Sequence, residues 1–218
     1  MAGVARRGAG LSRDEIVAKA ITVADAEGFE RLSMRRLGDA LGVEAMSLYH
    51  HMPNKIALLD AMVDCVFEEI TLPAGTDWQA GMRTRARSQR EALRRHPWAL
   101  RLLESRSAPG PANLRHHDAV LGFLRGAGFS IRAAGHAYAL LDAFVYGFAV
   151  QEQALPFDAE TASELASSML GGAAGAGFPH LAEFMRAVIL PGGYDFADEF
   201  DVGLDLVLDA LESLRKRP

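Results

Sequence analysis

The 218-residue sequence has a single cysteine, Cys65, so no intrachain disulfide can form. No stretch approaches ~18 uninterrupted apolar residues, the rough length of a membrane-spanning helix. The first residues, MAGVARRGAGLSRDE, carry arginines without the apolar segment of a secretory signal. Runs of alternating β-branched residues are missing, and so are a phosphate-binding glycine loop, a dinucleotide fingerprint, a G-x-S-x-G elbow and any paired metal-ligand motif. Together these absences argue against a disulfide scaffold, a membrane protein, a β-sheet protein and the enzymes such motifs mark. A cytoplasmic chain with no cofactor is expected, and an enzyme is not.

What the chain does have is apolar material. Half of its residues are hydrophobic and the mean hydropathy is +0.05, enough for a substantial core. The net charge of −5 is unevenly spread, with +1 on residues 1–58 and −6 on residues 59–218. A mildly basic end on an acidic body suits a protein that touches nucleic acid with one end only. Apolar residues recur at helical spacing almost throughout, which predicts an all-α fold. Ser12 and Glu15 stand at capping-box spacing ahead of Ile16, Ala20, Val23 and Ala24, and Gly28 stops that first helix. The second helix opens at Ser33 as N-cap and ends near Ala40. A very short third covers 44–51, and a fourth begins with Pro53 in its first turn and continues from Ile56 to Ile70. Cys65 falls in the series Leu58, Leu59, Met62, Val66 and is expected in the core. Further helices are predicted over 78–96, 98–106, 111–127, 130–155, 159–170 and 197–215. The small-residue run SSMLGGAAGAG at 167–177 reads as a mobile loop.

Gly42 supplies the permissive backbone for a tight turn between the second and third helices, and two short helices joined in this way make a helix-turn-helix. Leu37, Leu41, Val43 and Leu48 would form its apolar interior. With Leu48 inward, a step of about 100° per residue puts Met46, Tyr49 and His50 on the opposite arc, with Ala45 at its margin. The segment LSMRRLGDALGVEAMSLYHHMPNKIALLDAM, residues 32–62, preceded by AEGFERLS, strongly resembles the DNA-binding part of the tetracycline-repressor family. Farther on, DWQAGMRTRARSQREALRRHPW, GFLRGAGFS and FDVGLDLVLDAL are similar to the effector-binding and dimerisation domain of the tetracycline-repressor subgroup.

The resemblance implies a flexible arm at 1–11, a three-helix, homeodomain-like DNA-binding domain at 12–58 and a larger helical effector-binding and dimerisation domain at 59–218. It further implies a homodimeric repressor, released from a palindromic operator in double-stranded DNA by a small-molecule effector. By the same resemblance Arg35 reads a base edge, where its planar donor fork suits guanine O6 and N7. Ser33 brings a hydroxyl and a helix N-terminus to a phosphate. Tyr49, His51 and Lys55 contact phosphates, which fix register rather than sequence. Ala45, Met46, Ser47 and His50 lie in the recognition helix or at its end, and Ala45 and Met46 have apolar surface suited to thymine methyls. Ala45, Met46 and His50 differ from the family prototype's residues, so the operator sequence does not carry over. Arg6, Arg7 and Arg13 either extend the arm onto DNA or form a solvated tail.

The subgroup's prototype binds magnesium-chelated tetracycline through histidines and amides, whereas Thr71, Arg85, Gln89 and Leu103 stand at matching positions here. Neither tetracycline nor an obligatory metal is therefore expected. His116 and His117 diverge by about 100° on a helix and read as solvated surface histidines. A mainly apolar effector pocket is expected from Met82, Gln89, Trp98, Leu103, His136, Tyr138, Phe144 and Tyr146, residue types that serve equally well in a core. Residues 202–214 are more apolar than one amphipathic face requires, which fits a dimer helix or a helix central to the monomer. The competing readings are a ligand-responsive activator and a helical ligand-binding protein without DNA affinity.

Overall fold

The computed structural model describes residues 11–103, 109–172, 177–192 and 194–216, and every regular element among them is helical. The proposed arm with Arg6 and Arg7, the end of the expected 98–106 helix and the middle of the expected 167–177 loop lie outside the described residues. The chain packs as two units. The first comprises Met1–Ala74 and Arg87–Gly122, and the second Gly75–Ala86 and Phe123–Pro218.

In the first unit, α1 (Arg13–Glu27) opens with a complete capping box. The Ser12 hydroxyl accepts the Glu15 N–H, and the Glu15 carboxylate accepts the Ser12 N–H. Its inward stripe of Ile16, Val17, Ala20, Val23 and Ala24 is buried. After a single 3-10 turn, Phe29–Arg31, α2 (Met34–Leu41) is capped by Ser33, whose hydroxyl accepts the Arg36 N–H. The third helix, α3 (Ala45–Tyr49), is shorter than expected, and α4 (Lys55–Glu68) starts later. Pro53 does not enter the first turn of α4, because the Asn54 side chain accepts the Ala57 N–H and takes the N-cap position itself. The unit is completed by the second half of α5 (Trp78–Arg95), by α6 (Trp98–Leu103) and by most of α7 (Pro111–Gly126).

Cys65 is half-buried rather than fully in the core. Burial, followed by the charges of Glu68 and Asp64, pushes its thiol pKa up. His116 is not a solvated histidine: it shares the inward face of α7 with Ala112, Asn113 and Val120 and meets the Phe67 ring edge-on, centroids 5.7 Å apart. Its neighbour His117 is half-buried, with Nδ1 facing the Asn113 carbonyl at 3.3 Å.

The second unit contains the first half of α5, then α8 (Ile131–Ala154), α9 (Ala162–Gly171), α10 (Pro179–Phe184) with a following π turn, Met185–Ile189, and α11 (Glu199–Arg215). Phe200, Leu204, Leu208 and Leu211 form the buried stripe of α11, and Phe200 packs on Phe144 and Phe148 of α8. The expected loop at 167–177 is helical as far as Gly171, and the sequence pattern does not announce α10, a helix of six residues that begins on Pro179. By length and composition α8 is long and apolar enough to cross a membrane, which a search for uninterrupted apolar runs does not reveal. The same composition serves a core helix, and here the α8 face bearing Ala134, Ala137, Leu141, Val145 and Phe148 is buried.

Candidate nucleic-acid interface

The helix-turn-helix is set by two glycines. Gly42 adopts φ +70°, the left-handed turn conformation, and its N–H closes α2 on the Asp39 and Gly38 carbonyls. At Gly38 a Cβ would lie 2.8 Å from the Val43 carbonyl oxygen and 3.2 Å from the Ala45 nitrogen, so only glycine allows α3 to cross α2 this closely. Leu37 and Leu48 are wholly buried between the helices, while Leu41 and Val43 are half-buried. An ion pair between Arg36 and Glu27 ties α2 back to α1.

The outward side of α3 is open. Met46 is 70% exposed and Tyr49 43%, against 0% for Leu48. Ser47, His50 and His51 are exposed beside them, and Ala45 is half-buried at the margin. Ser33 and Arg35 are exposed at the start of α2, and Lys55 is half-buried at the first turn of α4. The expected DNA contacts thus gather on the starts of α2 and α4 and the free arc of α3. This surface presents a guanidinium, an ammonium, hydroxyls, imidazoles and a solvent-exposed methionine, a set able to hold phosphates and read base edges.

The expected effector residues divide between the units. Gln89, Trp98 and Leu103 belong to the first, and Met82, His136, Tyr138, Phe144 and Tyr146 to the second. Met82 and Gln89 are fully buried, Leu103, Phe144 and Tyr146 are half-buried, and His136 is exposed. Trp98 is buried in the first unit, where its indole N–H donates to Asp25 of α1 at 2.6 Å. Asp25 also receives His96 Nδ1 at 2.8 Å, while His96 Nε2 faces Glu69 at 3.1 Å. Sequence reasoning misses this junction, because residues far apart in the chain meet there without any periodic signal.

In the second unit Arg85 is completely buried and pairs with Asp142 of α8 at 2.6 Å. Its guanidinium lies over the Tyr138 ring, 5.3 Å from the centroid. Burial, together with the Asp142 charge, drives the Tyr138 hydroxyl pKa well up, so Tyr138 is neutral. Among the described residues no three His, Cys, Asp or Glu side chains gather to hold a metal ion.

Residues 16–62 match the bacterial regulatory proteins of the tetR family, and residues 72–215 match the tetracyclin repressor-like C-terminal domain. The chain belongs to the tetR family. Like its relatives it is a ligand-responsive, DNA-binding transcriptional repressor. It is 35% identical to the HTH-type transcriptional repressor DrrR1 of Streptomyces coeruleorubidus, over 94% of this chain and 78% of that one. It is also 32% identical to the class C tetracycline repressor protein of Escherichia coli, covering 94% of this chain and 92% of the relative. Among solved tetR-family structures, ActR of Streptomyces coelicolor in complex with actinorhodin superposes with a TM-score of 0.78 at 28% identity, over 96% of this chain and all of that one.

Proposed function

We propose that the surface formed by Ser33, Arg35, Ala45, Met46, Ser47, Tyr49, His50, His51 and Lys55 reads a palindromic operator, and that repression ends when a small organic effector enters the C-terminal helices. The observation that carries the DNA-reading assignment is the polarity of α3, with Leu48 at 0% exposure and Met46 at 70%. A short helix packed by one leucine and open on the other side is a groove-reading element when a turn glycine and a capped partner helix stand behind it. Residues 12–58 then act as the reading domain and 59–218 as the effector-binding and dimerisation domain, in a cytoplasmic regulator with no enzymatic role.

ActR binds actinorhodin, and a variant of the Acinetobacter baumannii TetR protein has been solved in complex with minocycline, which supports an organic effector for this chain as well. The residues proposed to contact it are Met82, Gln89, Trp98, Leu103, His136, Tyr138, Phe144 and Tyr146. The loss of the prototype's ligand positions to Thr71, Arg85, Gln89 and Leu103 favours an effector that needs no metal. For dimerisation we propose the outer faces of α8 and α11, where Leu140, Val150, Val202 and Leu206 are exposed in the single chain.

Selection of binding sites from a randomised DNA pool, at two salt concentrations with competitor DNA, tests the DNA-reading assignment. Enrichment of one inverted repeat, with affinity falling steeply as salt rises, is the expected result. No enrichment, with no affinity for any duplex at low salt, would remove it.

A further inference from the structure

The first unit holds a groove of about 810 Å³ between α1, α4 and the start of α7, a volume within the range of small-molecule sites. Its apolar lining comes from Val17 and Ile21 of α1, Ala57 and Ala61 of α4, and Pro111 of α7. None of the residues assigned to the effector or to the DNA-reading surface lines it. The charges around this apolar lining are unbalanced, with Asp14, Asp60, Asp64 and Glu68 set against Arg13 and Arg115. Arg115 is engaged by Glu68 at 3.1 Å. Asp64 has a task of its own at the first turn of α7, where its Oδ2 accepts the Ala112 N–H and its Oδ1 the Asn113 N–H, each at 3.0 Å. It keeps its negative charge there.

Cys65, which also lines the groove, gauges this field. Besides burial, the carboxylates of Glu68, Asp64 and Asp14 all push its thiol pKa up, and Arg13 opposes them. A metal ion does not suit the site, because among the described residues no three His, Cys, Asp or Glu side chains gather to hold one. Carboxylates on separate walls of an apolar groove suit instead a ligand with an apolar body and one diffuse positive charge. We propose that this groove is a second ligand site, taking a small organic cation with an ammonium or amidinium head, with Asp14 of α1 and Asp60 of α4 supplying the negative charge. The site is separate from the effector residues and from the reading surface, so its test needs neither effector nor DNA.

Cys65 is the chain's one cysteine, so thiol labelling of the full-length protein reads this groove alone. A methanethiosulfonate bearing a trimethylammonium group is expected to label it about tenfold or more faster than the sulfonate-bearing counterpart, each rate taken relative to that with free cysteine. The pKa of the thiol cancels in that ratio. Benzamidine, with a flat apolar body and an amidinium head, should protect Cys65 from neutral N-ethylmaleimide: at about 5 mM, a site with a Kd of about 1 mM slows labelling about sixfold. Benzoate, of the same size and opposite charge, should not protect, and neither should magnesium ions. Ala18→Lys puts an ammonium on the α1 wall four residues from Asp14, a spacing at which the two pair. That variant should abolish benzamidine protection and bring the two reagent rates within about threefold, with helical content and melting unchanged. Asp14→Asn combined with Asp60→Asn should do the same by removing the charge. Equal labelling by the two reagents in wild type, a charge preference without benzamidine protection, protection by benzoate as strong as by benzamidine, or protection that survives in both variants would each overturn the proposal.

Discussion

At the scale of single residues the reading surface separates into two kinds of contact, and mutation should tell them apart. Arg35 is exposed at the first turn of α2 with a planar fork suited to a base edge, while Lys55 is a flexible point charge at the first turn of α4. Arg35→Ala is expected to relax base preference at one operator position by about 1–3 kcal/mol. Lys55→Ala should instead weaken all sequences alike and lower the slope of affinity against salt by about one phosphate contact. A binding-site profile for each variant decides, and equal loss of base preference in both would reverse the assignment. The buried Arg85–Asp142 pair gives a second test. Removing only the anion, in Asp142→Ala, takes a carboxylate partner from a guanidinium that is 0% exposed and should cost about 3–5 kcal/mol in chemical denaturation. Arg85→Met with Asp142→Leu, which removes both charges, should be far closer to neutral; equal destabilisation by both changes would count against the pairing. Residue positions that depend on one helix were legible in the sequence: the 100° step alone separated Leu48 from Met46, Tyr49 and His50. Positions that depend on a distant partner were not. Nothing near Asp64 announces the amides of residues 112 and 113, nothing near Arg85 announces Asp142, and His116 looked solvated until α4 was laid against it.

At the scale of elements the caps carried most of the legible information, because a cap is a contact between residues three apart. Ser12 and Ser33 each stand where the sequence places them, with hydroxyls accepting N–H groups at 3.2 and 3.1 Å, and Ser130 caps α8 in the same way at 3.2 Å. Pro53 was misplaced because two capping solutions compete there and Asn54, with a side-chain acceptor, prevails. The short α10 escapes notice because so few residues establish no period. The end of α11 shows how an element is fastened by contacts beyond the reach of such patterns. Glu212 accepts hydrogen bonds from Arg215, one turn on, and from the Trp78 indole of α5 at 3.1 Å. The Arg215 hydrogen bonds, ahead of the one from Trp78, hold the Glu212 pKa down to about 2. Because the folded value lies below the ordinary carboxylate value of 4.5, the contribution is complete above that pH and is lost as pH falls toward 2. The wild-type melting temperature should therefore drop more steeply than that of Glu212→Gln between these limits, with the two proteins closest at the acid end. Parallel profiles across the range would mean that Glu212 contributes nothing in its charged form.

At the scale of the whole molecule, α11 has more apolar surface than one chain uses. Phe200, Leu204, Leu208 and Leu211 face inward and are fully buried, while Val202 and Leu206 point outward, Leu206 at 67% exposure. The outer side of α8 adds Leu140 and Val150, so both long helices of the second unit carry an apolar residue set that the isolated chain leaves in water. Such a surface is costly unless a second copy covers it, and two-fold pairing would also explain why a reading surface of this size is enough: the operator is contacted twice. Leu206→Asp puts a charge on that outer face without touching the inward stripe. Sedimentation is expected to show a folded monomer, with helical content and melting of the isolated chain little changed. Operator affinity should fall by orders of magnitude, because each half-site is then bound independently and the advantage of linkage is lost. Affinity for a single half-site, measured on a duplex carrying only one, should stay close to the wild-type value, since α2, α3 and α4 are untouched. A Leu206→Asp protein that remains dimeric would move the interface elsewhere on the second unit. A monomer that still holds the full palindrome as tightly as wild type would show that reading does not depend on pairing.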